Sequence, residues 1–325
     1  MNLLGIDIGG TKTSVCIGDE HGRLLASKRI PTETPAGPGH WLPRTVAQVH
    51  DVLREAKLSL SDIRAVGIAS PGPMSVSRGM MLAPPNMQGW VDVPVKKMVG
   101  DALGLPTHIN NDANACAQAE FIFGSCKGTP NLVYLTMSTG IGAGIIVNGE
   151  VLQGVSDMGG EVGHHVLDSH GPPCPCGQRG CFEIYCGGLN VANRLRERIA
   201  REEARTAILD EAGGDPAKID FRCLVAAVWK RDALALEAWD EYIERLAQGF
   251  GTIMMMVNPE VMILGTIAIH AGDLIIDPVR QRLHHYAWKH CTEPCRIIPS
   301  GLDTTIGDLS ALAVAVCGMR KKSDQ

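Results

Sequence analysis

The chain has 325 residues, 45% of them apolar and 20% charged, with 30 basic against 35 acidic side chains and a net charge of −5. At about 150 residues per domain this is enough for two cores, and the composition excludes a chain that is mainly disordered. The mild acidity argues against binding nucleic acid through a broad basic surface.

The Met1 end lacks the basic flank and long apolar core of a secretion signal. It runs into Leu3 to Ile17, an apolar strand, a glycine-rich turn at Asp7-Ile8-Gly9-Gly10-Thr11-Lys12, and a second strand. His40 to Lys57 has a helical apolar period, and Arg64 to Ser70 is a short buried strand ended by Pro71-Gly72-Pro73. Val95 to Leu103 reads as a helix, Pro106 to Asn110 as extended, and Asn111-Asp112 opens a helix running to about Phe123. Val133 to Val147 then repeats the layout of Leu3 to Ile17, with Gly140 matching Gly10 at an offset of 130. Two unrelated hairpins would give the same glycines, but the matched length favours a duplicated domain.

Gly188 to Glu211 and Phe221 to Val257 read as charged helices separated by Gly213-Gly214-Asp215-Pro216. Arg194 to Arg205 interleaves Glu197, Glu202 and Glu203, the pattern of a solvated helix with salt pairs. Val261 to Gly265 is a strand, and Ile306 to Gly318 a closing apolar helix. The longest apolar run, Val261 to Ile269, is too short to span a bilayer. Strands alternating with helices after paired hairpins give an α/β fold with mixed sheets. A soluble, cytoplasmic protein with neither membrane nor nucleic acid as partner is expected.

Three motifs carry chemistry. In the first, Gly9 and Gly10 let backbone amides approach an anion, Thr11 adds a hydroxyl and Lys12 a compact charge, while Asp7 is placed to hold Mg2+ through water. The hairpin from Ser138 to Gly144, with Thr139, Gly140 and Gly142, offers a second amide-rich turn. The pair would clamp a polyphosphate. The second motif is Asn110-Asn111-Asp112-Ala113-Asn114, where a carboxylate could take a proton from a substrate hydroxyl or simply cap a helix.

The third motif is Glu161-x-Gly163-His164 followed by Cys174-x-Cys176 and Cys181-x-Glu183. Three thiolates and an imidazole have the composition of a closed, structural zinc site, with His165 and His170 as other candidates for the fourth ligand. Glu161 and Glu183 flank that loop, where they could accept from sugar hydroxyls or lie solvated on the surface. Of the eleven cysteines, Cys16, Cys116, Cys223 and Cys317 sit in apolar surroundings and read as small core residues rather than disulfide partners.

The combination resembles the ROK family of repressors and sugar kinases, and its bacterial glucokinase branch most. The resemblance runs from Leu4 to about Val316 and rests on these motifs together with Pro85-Asn86-x-x-Gly89-Trp90. It implies a duplicated actin/hexokinase-like (ribonuclease H-like) fold, two domains around a central cleft that takes ATP and sugar. Residues 1–117, completed by the helix 306–321, would form one domain, and 118–305 a larger one with the zinc loop and a helical insert. It implies an ATP- and Mg2+-dependent kinase acting on the 6-hydroxyl of a hexose, glucose first, and a homodimer. N-acetylmannosamine, allose or fructose kinases and a sugar-sensing regulator are the other members to weigh.

On this resemblance Asp112 is the catalytic base. Asn86, Asn111, Glu161, His164 and Glu183 touch the sugar, and His164 doubles as a zinc ligand. Asp7, Gly9 to Lys12, Thr139, Gly140, Gly142 and Gly265 serve the nucleotide. The DNA-binding module of the family's repressors is expected to be missing, since the first phosphate hairpin begins at Leu3. One departure stands out. Gly265-Thr266-Ile267 replaces the glycine triplet that usually borders the adenine. Ala143 in place of a usual glycine is milder.

Overall fold

The protein is described from a computed structural model covering residues 1–267 and 271–323. The end of the apolar run, at 268 and 269, lies outside these residues. Contacts divide the chain into two compact units: Met1–Tyr134 with Gly144–Gly160 and Gly301–Gln325, and Leu135–Ala143 with Glu161–Ser300. No described helix is long and apolar enough to cross a membrane.

The first unit is built on β1 (Asn2–Ile8), β2 (Lys12–Asp19), β3 (Leu24–Pro31), β4 (Ile63–Ser70) and β5 (Thr107–Asn111), in the order β3-β2-β1-β4-β5. The first three strands form an antiparallel meander, while β4 and β5 join in parallel. Helices α1 (Pro38–Ala56), α2 (Val95–Leu103) and α3 (Asp112–Ile122) follow the connections. The second half supplies β6 (Leu132–Met137), β7 (Ile141–Val147), β8 (Glu150–Val151), β9 (Val261–Leu264) and β10 (Arg296–Pro299), in the order β8-β7-β6-β9-β10. Taken in chain order, each sheet reads third, second, first, fourth, fifth. The paired hairpins therefore mark a duplication of topology.

The C-terminal helix (Ile306–Ser323) returns to the first unit and buries Leu309 to Val316 on all sides. Gly67 of β4 permits its close approach to the sheet, because a Cβ there would lie 2.0 Å from the Ala311 carbonyl oxygen. The division expected from sequence, after residue 117, differs from this grouping by contacts. It cuts through α3, yet α3 packs on the C-terminal helix and stays, with 144–160, in the first unit.

In the second unit, α4 (Phe182–Cys186), α5 (Gly188–Glu202), α6 (Ala207–Glu211), α7 (Phe221–Trp229) and α8 (Ala233–Val257) form the helical insert. The two long helices expected there are each broken. Glu203 ends α5 in a left-handed conformation (φ 47°) and Thr206 caps α6. Arg231 (φ 58°) separates α7 from α8, whose N-terminus is capped by Asp232 accepting from the Ala235 amide at 2.9 Å. Helical periodicity continues across both breaks, so only the cap chemistry marks them. All eleven cysteines are free; Cys16 and Cys223 are buried, whereas Cys116 and Cys317 are half-buried.

Candidate functional site

The first glycine turn joins β1 to β2. The Gly9 amide donates to the Lys12 carbonyl (2.9 Å), and Thr32 of the neighbouring loop donates its hydroxyl to the Gly9 carbonyl (2.6 Å). Thr11 and Lys12 project exposed at the tip. Gly10 has no room for a side chain, since a Cβ there would sit 2.8 Å from the Asn86 carbonyl oxygen. Trp90, four residues after Asn86, anchors this segment. The buried Trp90 ring meets Trp41 edge-on with centroids 5.4 Å apart and donates its indole N–H to the Thr34 carbonyl (3.2 Å). Trp41 in turn donates to the Thr13 hydroxyl of β2 (2.9 Å). The Pro85 to Trp90 motif thus sets Asn86 beside the first glycine turn, and the burial of Trp90 is worth a few kcal/mol.

The end of β5 passes directly into α3. Asn111 is the N-cap, its side-chain oxygen accepting from the Asn114 amide at 2.7 Å. Asp112 follows in the first turn, exposed, with Oδ1 accepting from the Ala113 amide (2.8 Å). The capping alternative for Asp112 is therefore taken by its neighbour. Asp7, half-buried at the end of β1, has its carboxyl raised from 3.8 to about 7. Burial is the main cause, followed by the charges of Asp112 and Asp308, with Arg29 and Lys12 opposing. Asp308, in the first turn of the C-terminal helix, is fixed by the hydroxyls of Ser14 (2.6 Å) and Ser27 (2.7 Å). Gly307 lets Asp7 approach this turn, for a Cβ there would lie 2.6 Å from Asp7 Oδ2. Carboxylates gathered around a half-buried acid are a setting in which a divalent cation is stabilised. Sequence reasoning missed Asp308, because nothing local links position 308 to position 7.

In the second unit the turn from Ser138 to Gly140 is closed by its own backbone, Ser138 donating to the Gly140 carbonyl at 3.0 Å. The N-terminus of α5 braces it, with Gly188 and Leu189 amides donating to the Ser138 and Thr139 carbonyls (2.9 and 3.1 Å). Gly142 lies just inside β7. Glu183 of α4 is tied to the same turn, its Oε2 accepting from the Ile141 amide at 2.8 Å. A Cβ on Gly140 would come within 2.3 Å of that oxygen. Glu161 precedes the short turn that carries His164 and is exposed.

The ligand atoms of His164, Cys174, Cys176 and Cys181 all lie within 4.8 Å of one another. Cys174 Sγ is 3.7 Å from His164 Nδ1, and Cys176 Sγ is 3.6 Å from Cys181 Sγ. Bonds of about 2.3 Å to sulfur and 2.0–2.1 Å to nitrogen separate tetrahedral neighbours by roughly 3.5–3.8 Å, so the donor set fits one zinc ion. Gly180 (φ 63°) allows the loop to fold back, since a Cβ there would strike the Asp168 carbonyl oxygen at 1.8 Å. His165 instead packs on Phe182 with its Nδ1 against the Val162 carbonyl, and burial lowers its pKa. His170 is exposed beside Asp168. Neither joins the cluster.

Gly265 is buried just past β9 and donates its amide to the Leu135 carbonyl (2.8 Å). Thr266 next to it has φ 51°, a left-handed conformation that β-branched residues resist. A glycine would adopt it without strain, which accounts for the sequence departure at this point as a local cost.

The model of the ROK family matches residues 3–316 of the chain. The chain belongs to the ROK family. A glucokinase of Thermotoga maritima is 31% identical over 320 residues, 97% of either chain. The crystal structure of a ROK hexokinase from Thermus thermophilus superposes with a TM-score of 0.83 at 28% identity, covering 99% of this chain and 100% of the other. A ROK family glucokinase from Streptomyces griseus, solved with glucose and AMPPNP, gives a TM-score of 0.79 at 26% identity over 97% and 99%. With the matched sheet orders, these likenesses identify the fold as the family's actin/hexokinase-like α/β fold.

Proposed function

We propose that this ROK protein, an ATP-dependent sugar kinase, is a glucokinase that moves the γ-phosphoryl group of ATP to the 6-hydroxyl of glucose. The observation that carries the reading is the division of labour at the start of α3. Asn111 spends its side-chain oxygen on the helix cap, which leaves the exposed Asp112 carboxylate as the group that orients the hydroxyl and takes its proton. Phosphoryl transfer asks for positioning and charge stabilisation more than for covalent chemistry. The amides of Gly9 to Lys12 and of Thr139, Gly140 and Gly142 grip the phosphate oxygens, with the Thr11 hydroxyl and Lys12 ammonium adding to the first set. Gly265 borders the base. Asp7 and Asp112 are the groups that would hold Mg2+ through water, and the ion when bound neutralises charge on the β- and γ-oxygens.

Asn86, Asn111, Glu161, His164 and Glu183 read the sugar hydroxyls. One oxygen of Glu183 is committed to the Ile141 amide, so Oε1 is the one offered to sugar. A single side chain thereby links sugar contact to the geometry of the phosphate turn. His164 ligates zinc through Nδ1 and turns Nε2 to the sugar. The zinc is structural, because four protein ligands leave no position open for water. The protein is taken to act in the cytoplasm as a homodimer.

A coupled assay of ADP release over glucose, mannose, fructose, allose and N-acetylmannosamine tests the reading. The highest kcat/KM is expected with glucose, and a different preferred sugar replaces the substrate while keeping the chemistry. The strained Thr266 motivates one rival, a sugar sensor with impaired nucleotide binding. That rival gains if every sugar binds without ADP release.

A further inference from the structure

In the first unit β5 is the last strand of its sheet, and among the described residues no strand lies beside its outer edge. Val66 of β4 donates to the Pro106 carbonyl (2.8 Å). Alternation along the parallel ladder therefore turns the backbone groups of Thr107 and Ile109 outward. A cavity of about 280 Å³ lies against this edge, and its polar lining includes Lys96, Thr107, His108, Asn110, Gln118 and Gln153. Gln118, on α3, is 5% exposed, and its Oε1 is buried with no hydrogen-bond donor. An amide oxygen left so costs about 1–3 kcal/mol, and folded proteins retain few of them.

A second depression of about 440 Å³ adjoins the cavity, sharing Lys96 and Thr107 and adding Arg78 and Lys97. Lys97 is paired with Asp101. Lys96 and Arg78 have no carboxylate partner among the described residues, and Arg78 is steadied by its Nε–H donating to Ser75 Oγ (3.2 Å). The stem of Lys96 is seated where Gly79 lacks a side chain, since a Cβ there would lie 2.7 Å from Lys96 Cβ. A cavity rich in neutral donors and acceptors thus opens onto a lip that carries two cations, Lys96 and Arg78, neither in an ion pair among the described residues.

We propose that this edge of β5 is a binding site for a phosphorylated polyol, distinct from the turns that grip ATP. Hydroxyls of the ligand donate to Gln118 Oε1 and exchange hydrogen bonds with the Ile109 backbone, while the phosphomonoester lies on Lys96 and Arg78. The volume suits one sugar ring, at the small end of ligand pockets. Asn110 on the cavity wall accepts from Gln153 Nε2 (3.2 Å) and from the Asn111 amide (2.9 Å). Occupancy therefore bears on the residue next to the α3 cap.

Calorimetric titration of the full chain with glucose 6-phosphate tests this, with inorganic phosphate and glucose as separate probes. Lys96→Glu is expected to weaken glucose 6-phosphate about tenfold or more. Gln118→Met, which removes the undonated oxygen at nearly constant volume, is expected to weaken it while keeping or raising Tm. Lys12→Ala is expected to leave this binding within about twofold. The proposal fails if no heat appears up to ~10 mM ligand, if inorganic phosphate alone binds as tightly, or if Lys12→Ala abolishes binding that Lys96→Glu spares. The binding arms do not depend on turnover, so failure of the kinase reading would leave them standing.

Discussion

Replacing Asp7 by Asn should stabilise the fold, and should do so more as the pH rises. The carboxyl of Asp7 titrates near 3.8 in the unfolded chain and at about 7 in the fold, chiefly because burial and the Asp112 and Asp308 charges disfavour its ionised form. Below about pH 3 the group is protonated in both states and carries no penalty. As the pH climbs from about 4 through 7, the unfolded chain ionises freely while the fold resists, so stability falls across that window. Three units at 1.36 kcal/mol each set a ceiling of ~4 kcal/mol, and relaxation around the half-buried group brings the expectation to about 2–4 kcal/mol. Urea denaturation of parent and Asp7→Asn at several pH values, without nucleotide or Mg2+, isolates this one group. The gap in stability should be near zero at about pH 3 and reach about 2–4 kcal/mol by about pH 8. A gap that does not change with pH would refute the reasoning. Turnover should fall in the same variant, since an amide binds hydrated Mg2+ less well than a carboxylate. Stability set aside at a site in this way is the usual trade against activity.

Asp112→Asn should retain sugar binding in calorimetry and lose about 10²–10⁴ in kcat, the range for a general base; near-parental turnover would remove its role. Metal analysis should find about one zinc per chain. Cys181→Ser should release the metal and expose the 164–181 loop to protease, whereas unchanged zinc content would exclude the four-ligand site. Thr266→Gly should raise stability by about 1 kcal/mol in urea melts by relieving the left-handed conformation, and a loss of stability would show that the threonine is packed rather than strained.

Much of the site was legible because it is local. The two glycine turns, the Asn111-Asp112 junction and the Cys174 to Cys181 spacing each place their chemistry within a few residues of chain. The apolar runs that mark β1, β2, β6 and β7 do so for the same reason. What escaped depends on distant partners. Asp308 tunes Asp7 from the far end of the sequence, and the Glu183 bond to the Ile141 amide halves the capacity expected of that carboxylate for sugar. The strand β10 is only four residues long and gains its identity from pairing with β9. The breaks at Glu203 and Arg231 interrupt stretches whose apolar period continues, so period alone joined what capping residues divide.

The most direct measurement is a ³¹P NMR spectrum of the protein incubated with glucose, ATP and Mg2+. ADP is expected together with a sugar monoester whose phosphorus is split by the two methylene protons of C6, the mark of the 6-position. A monoester split by a single proton, or ADP with free phosphate and no ester, would contradict it.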